Sequence, residues 1–198
     1  MSATGPTSPP YTTPAFAFGH DLSLFTAPLS SYLSANPSPS GSPYEGIATG
    51  SFIINPRTSK LLLLQRAPHD SMPLCWEIPG GAVDAEDESI LHGAARELFE
   101  ETGLVATRIT KQVGGVQEFL TRKGRRMGKV SFLVDVEVQD GEIKVKLDPN
   151  EHVQYVWVSL DEAKAKKVGD VLLEYTTEAQ ETTIYQAFRL SKEQTAGT

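Results

Sequence analysis

The sequence predicts an α/β fold, a layered α/β/α sandwich in which a sheet lies between helices. Three observations predict it. Short apolar runs of strand length recur from residue 46 onward, and segments with helical period and capping signals stand between and after them. Hydrophobic residues make up 39% of the 198, enough for one well-cored domain. The formal net charge of -7 disfavours duplex nucleic acid and anionic membrane surfaces as partners. No apolar run approaches the roughly 20 residues that span a bilayer. A single cysteine, Cys75, excludes an intrachain disulfide and fits a reducing compartment, cytoplasmic or nuclear.

Residues 1–45 read as a Pro/Ser-rich N-terminal extended arm, 46–190 as the domain and 191–198 as a tail. The arm holds eight of the thirteen prolines, and the first basic residue of the chain is Arg57, so neither a secretory signal nor a mitochondrial presequence fits. Its apolar stretch (Phe16, Phe18, Leu22, Leu24, Phe25, Leu29, Tyr32, Leu33) is too greasy for a free linker. The composition favours a flexible or extended arm; the alternative, which the apolar stretch offers, is that it lies across its own domain or against a second copy in a homodimer. Ser34 to Pro43 reads as a linker.

Ile47 to Ile54 and Lys60 to Gln65 are expected strands joined by the turn Asn55 to Ser59. The unbroken run Leu61 to Leu64 suggests a strand covered on both faces. Asp87 to Thr102 reads as a helix with Asp87 as N-cap and Gly103 in the left-handed position after its end. Val113 to Thr121, Val130 to Val138 and Tyr155 to Val158 follow as strands. Ser159-Leu160-Asp161-Glu162 and Thr177-Glu178-Ala179-Gln180 are capping boxes that open two further helices.

Chemistry concentrates between Gly80 and Leu104. At about 100° per residue, Glu97, Glu100 and Glu101 share one helix face, while Leu91, Ala94, Ala95 and Leu98 form the stripe that docks on the sheet. Like charges at i, i+4 destabilise a helix by about 0.2–0.5 kcal/mol per pair, and anions are disfavoured near a helix C-terminus. Stability alone does not explain the cluster. A hard cation such as Mg²⁺ does, because it takes carboxylate oxygens together with phosphates. A solvated acidic face with Arg96 nearby is the other reading of the helix taken alone.

The segment closely resembles the signature of the Nudix hydrolases (MutT-like), G-x5-E-x7-R-E-U-x-E-E-x-G-U with U aliphatic. Gly81, Glu88, Arg96, Glu97, Leu98, Glu100, Glu101, Gly103 and Leu104 stand in its places, and Trp76-Glu77-Ile78-Pro79-Gly80 is similar to the family's approach to it. One departure is present, six residues instead of five between Gly81 and Glu88. The resemblance implies a Nudix-type α/β/α sandwich with a mixed β-sheet over roughly residues 46 to 190. It implies metal-dependent hydrolysis of the diphosphate linkage in a small-molecule nucleoside diphosphate derivative. The Gly80 carbonyl, Glu97, Glu100 and Glu101 would be ligands for Mg²⁺ (or Mn²⁺), and Arg96 would hold a carboxylate in place. The general base would be Glu101, or Glu151 in the loop before the last strand.

Arg66, Trp76 and Phe119 are the candidate substrate contacts, the aromatic pair as surfaces on which a base could stack; at strand spacing such aromatics are more often core. Arg122, Lys123, Arg125, Arg126 and Lys129 make a basic hairpin, either a solvated turn or a local attractor of phosphates. The histidines show no spacing suggesting a shared metal. An isopentenyl-diphosphate isomerase shares the fold but needs a cysteine context that Cys75 lacks. The alternative is a non-catalytic Nudix-like nucleotide-binding or sensor module, whose degenerate motifs lose the Arg-Glu…Glu-Glu positions retained here.

Overall fold

A computed structural model describes residues 13–39 and 41–196. In chain order the elements are β1 (Ala17–Phe18), a 3-10 helix (His20–Thr26), α1 (Leu29–Ala35), β2 (Gly46–Phe52), β3 (Leu61–Arg66), β4 (Trp76–Glu77), α2 (Ile90–Thr102), β5 (Ala106–Leu120), β6 (Arg126–Val136), β7 (His152–Val158), α3 (Leu160–Ala165), β8 (Lys167–Val168), β9 (Val171–Leu172) and α4 (Glu178–Ala196).

Two sheets form the middle layer. In the order β1-β5-β6-β2, the outer pairs are parallel and the β5–β6 hairpin is antiparallel, so this sheet is mixed. The second, β4-β3-β7, is antiparallel throughout. They meet where Ile54 bridges Leu61 at the end of the Asn55 turn. The Asn55 carboxamide oxygen accepts the Arg57 and Thr58 N–H groups and so makes the turn from its own side chain.

The β3 run divides its leucines between two cores. Leu62 and Leu64 join α2 on one face, and Leu61 and Leu63 join α3 and α4 on the other. This is the two-faced strand expected from the unbroken apolar run. Ala163, Ile184, Ala187 and Phe188 cover the second face, completing the sandwich.

The arm divides into parts. Residues 1–12, with the first three prolines, lie outside the described residues. The apolar stretch lies across its own domain: β1 pairs with β5, and Leu22, Phe25 and Tyr32 enter the same core as α2. Phe25 meets Phe132 edge-on at 5.2 Å and Tyr32 at 5.7 Å. The core therefore begins well before residue 46, because burying large aromatics outweighs the extended preference of the prolines around them. Ser34 belongs to α1 rather than to a linker, and α4 carries the expected tail as far as Ala196.

The α2 helix starts at Ile90, not at Asp87. Ser89 is its N-cap, with the Ser89 hydroxyl accepting the His92 N–H, and Gly103 closes it with a φ of 67°. Asp87 is drawn away from capping by a stronger partner, Arg96. The Ser159 capping box is fully formed. The Thr177 box is half formed: its hydroxyl accepts the Gln180 N–H, but the Gln180 amide donates to the carbonyl of Trp76.

Candidate functional site

Residues 79–83 run along the edge of β2 that β6 leaves free. Thr49 donates to the Gly81 carbonyl, Ser51 to that of Pro79, and Val83 to that of Ile47. The two glycines are required for different reasons. Gly80 has a φ of 147° and lies so close to β2 that a Cβ would meet the Thr49 carbonyl oxygen at 2.3 Å. At Gly81 a Cβ would meet the Glu97 carboxylate, also at 2.3 Å. The glycine pair thus lets the backbone pass between the sheet and the acidic face of α2.

The three α2 glutamates occupy different environments. The carboxylate of Glu101 is buried and accepts the Gly80 N–H at 2.7 Å. Burial raises it well above the usual carboxylate range, with Glu77, Glu97 and Glu151 pushing the same way and the Gly80 N–H opposing. Burial also raises Glu97, against the pull of Arg96. Glu100 is half-exposed and is held by Arg96 at 2.9 Å.

Every N–H of the Arg96 guanidinium is in use. Nε and Nη2 donate to Asp87, each at 2.9 Å, Nη1 donates to Glu97 at 2.8 Å and Glu100 at 2.9 Å, and Nη2 also donates to the Ala82 carbonyl at 2.9 Å. Its hydrogen bonds to Asp87, followed by those to Glu97, raise its already high pKa. Nothing is left to hold a substrate, so Arg96 is a positioning residue. The extra residue before the helix also has a place. The acid that forks with Arg96 is Asp87, whose side chain is 6% exposed, while Glu88 is exposed and faces His92 at 3.4 Å.

A second group of side chains closes on Glu101 from the other sheet. A carboxylate oxygen of Glu101, one of Glu151 and a ring nitrogen of His152 lie within 4.8 Å of one another. His152 opens β7, where a bulge sets it opposite Arg66. Its Nε2 faces Glu77 Oε1 at 3.3 Å, and its buried Nδ1 has no hydrogen-bond partner among the described residues. Burial lowers the pKa of Lys129 on β6, against the opposing charges of Glu77 and Glu101. Sequence spacing missed Glu77, Lys129 and His152. The available signal was a charge flanked by two core residues, as in Trp76-Glu77-Ile78.

The substrate candidates are scattered. Arg66 is committed to Glu77 and to Asp70, the latter at 2.6 Å. Trp76 is wholly buried, and its indole N–H donates to the Leu172 carbonyl at 3.0 Å, so it offers no face to a base. Phe119 is exposed on the β5–β6 hairpin opposite Met127. In that basic hairpin, Arg126 pairs with Glu118, Arg125 with Glu45, and Arg122 donates to the Ser71 carbonyl. These arginines are largely occupied by the protein itself.

Comparison with known proteins gives one family and one fold. Residues 45–178 match the model of the NUDIX domain. Nudix hydrolase 6 of Arabidopsis thaliana is 32% identical over 120 residues, a match covering 59% of this chain and 40% of that protein. The chain therefore spans less than half the length of that relative. Among solved structures, the MutT protein from Methanosarcina mazei is 28% identical, with a TM-score of 0.55, covering 75% of this chain and 95% of its own. The E. coli ORF135 protein is 26% identical, with a TM-score of 0.52, covering 74% and 90%. A MutT NUDIX hydrolase from Burkholderia pseudomallei, 22% identical with a TM-score of 0.54, shares the fold over 71% of this chain and 96% of its own.

Proposed function

The chain belongs to the Nudix family, and on that footing we propose that it is a pyrophosphohydrolase, using Mg²⁺ or Mn²⁺ to cleave the diphosphate of a nucleoside diphosphate joined to another group. The observation that carries this reading is the carboxylate set on α2. Glu101 is buried and Glu97 partly buried against each other's charge at a pair of glycines, and Arg96 is spent on holding Asp87, Glu97 and Glu100. Such an arrangement works against the fold unless a cation completes it. The donor set is all oxygen on the helix, which fits a hard divalent ion. Glu97, Glu100, Glu101 and the Gly80 carbonyl would hold it.

A bound ion would neutralise phosphate charge and acidify a water. The chain's own residues do the rest. Gly80 fixes one oxygen of Glu101 through its N–H, leaving the other free to face the site. Arg96 keeps Glu97 and Glu100 in register. Glu151 is exposed beside Glu101 and within reach of solvent, which makes it the better placed of the two candidate bases to take a proton from water. Water adds to phosphorus, the bridging P–O bond breaks, and the two phosphate-ended products leave.

The test is a panel of nucleotide sugars, dinucleoside polyphosphates and nucleoside triphosphates, each with Mg²⁺, Mn²⁺ or chelator, scored by kcat/KM. Metal-dependent release of two phosphorylated products is expected from one class. No turnover across the panel, with metal shown to be bound, would replace this reading with a nucleotide-binding module.

A further inference from the structure

The His152 imidazole is unlike anything in the glutamate motif, and its surroundings are those of a metal ligand. A histidine that binds a metal through one nitrogen characteristically donates its other N–H to a carboxylate, which fixes both tautomer and ring orientation. Here Nε2 faces Glu77 Oε1 at 3.3 Å, and Glu77 is in turn held by Arg66, itself clamped by Asp70. That chain of partners leaves the lone pair on Nδ1. His152 is only 2% exposed, and Nδ1 meets no hydrogen-bond donor among the described residues. An unpaired nitrogen in such a place is costly. The imidazole belongs to a cluster in which one of its ring nitrogens, a carboxylate oxygen of Glu101 and one of Glu151 lie within 4.8 Å of one another.

We propose that His152 supplies an imidazole nitrogen to a divalent ion shared with Glu101, making one position of this metal centre a mixed nitrogen–oxygen site. The proposal rests on the metal-dependent reading above and adds a consequence for which ion is used. Imidazole suits first-row transition ions, whereas Mg²⁺ takes oxygen. The mixed position therefore favours Mn²⁺ over Mg²⁺, while the oxygen ligands of Glu97 and Glu100 accept either. Glu151, alongside, remains the base.

The experiment is pulsed electron paramagnetic resonance on the full chain loaded with Mn²⁺, with ¹⁵N-labelled histidine, beside Mn²⁺ and Mg²⁺ titrations by calorimetry. A histidine nitrogen coupled to Mn²⁺ is expected in the parent protein and in the triple variant His20→Gln, His69→Gln, His92→Gln, which keeps only His152. It is also expected in Glu151→Gln, which removes the base and not the nitrogen. The coupling should vanish in His152→Gln, whose preference for Mn²⁺ over Mg²⁺ should fall on the order of 10-fold or more. Bound Mn²⁺ without nitrogen coupling in the parent, or an unchanged preference in His152→Gln, overturns the proposal. Neither readout depends on turnover. Nitrogen coupling in a protein that hydrolyses nothing would keep this site and remove the enzymatic reading; metal-dependent hydrolysis without coupling would do the reverse.

Discussion

Two corners of the molecule use glutamate in opposite ways. At the α3 corner, Glu162 closes a capping box with Ser159, accepting the Ser159 N–H at 2.7 Å, and receives Lys60 Nζ at 3.0 Å. The backbone N–H, with Lys60 after it, lowers its pKa to about 2. At the α2 corner, Glu101 sits near the end of its helix, buried among Glu77, Glu97 and Glu151, and its pKa is raised. The same side chain stabilises the fold where a helix begins and a cation stands near, and opposes it where a helix ends and acids gather. The difference teaches that the charges of the α2 corner are not arranged for stability, as the proposed binding of a cation there requires.

The largest expected effect separates activity from stability. Glu101→Gln should lower kcat/KM by at least about 10²-fold, the scale of losing a positioned catalytic group. The metal-free variant should nevertheless melt no lower than the parent, because it keeps the acceptor for Gly80 and loses a buried charge. A folded-state carboxylate pKa above the unfolded value of 4.5 means that the parent loses stability as pH rises from 4.5 through the folded pKa. The variant's relative gain should grow over that same interval, measured by calorimetry in chelator. A variant that melts several degrees lower at pH 8 would show that Glu101 is a structural residue.

Arg96 and its partners give the next effect. Asp87→Asn weakens this fork and should destabilise the protein by about 3 kcal/mol, the low end of the range for breaking a buried charged pair. Glu88→Gln, on an exposed side chain, should change stability by no more than about 0.5 kcal/mol. Urea unfolding of both variants checks the assignment. Equal losses would return the motif's acidic position to Glu88.

The smallest effect belongs to the stabilising corner. Glu162→Gln keeps the capping-box acceptor but loses the charge facing Lys60, and should cost about 0.5 kcal/mol at pH 7. Because the folded pKa is depressed, that stability is present above the unfolded value of 4.5 and is lost as pH falls through about 2. The gap between parent and variant in urea midpoints should therefore shrink between pH 4.5 and 2. A gap that persists at pH 2 would mean that the carboxylate's charge is not what holds the corner.

Much of this was legible in local sequence. The Ser159 box, the Gly103 cap, the two-faced β3 and the shared face of Glu97, Glu100 and Glu101 follow from spacing alone, since each depends on residues within a turn or a strand. Other features were not legible for the same reason. Glu77 and His152 belong to different strands and face each other only through the pairing of β3 with β4 and β7. Asp87 carries the signature of an N-cap, and only the approach of Arg96 across the loop takes it from that role. The arm looked separate because composition registers its prolines, and composition is blind to where Phe25 goes.

By itself the sequence determined the layered α/β class, the family, and a run of glutamates on one helix face that stability does not explain. Helix and strand periods are short-range properties, and the glycine-to-glutamate motif is contiguous. The tertiary structure decided which of those carboxylates is buried, that Asp87 and not Glu88 holds Arg96, and that an imidazole from the other sheet stands beside them. Those outcomes depend on which distant groups share one small volume. There burial sets the energy of a charge, and no spacing along the chain records it.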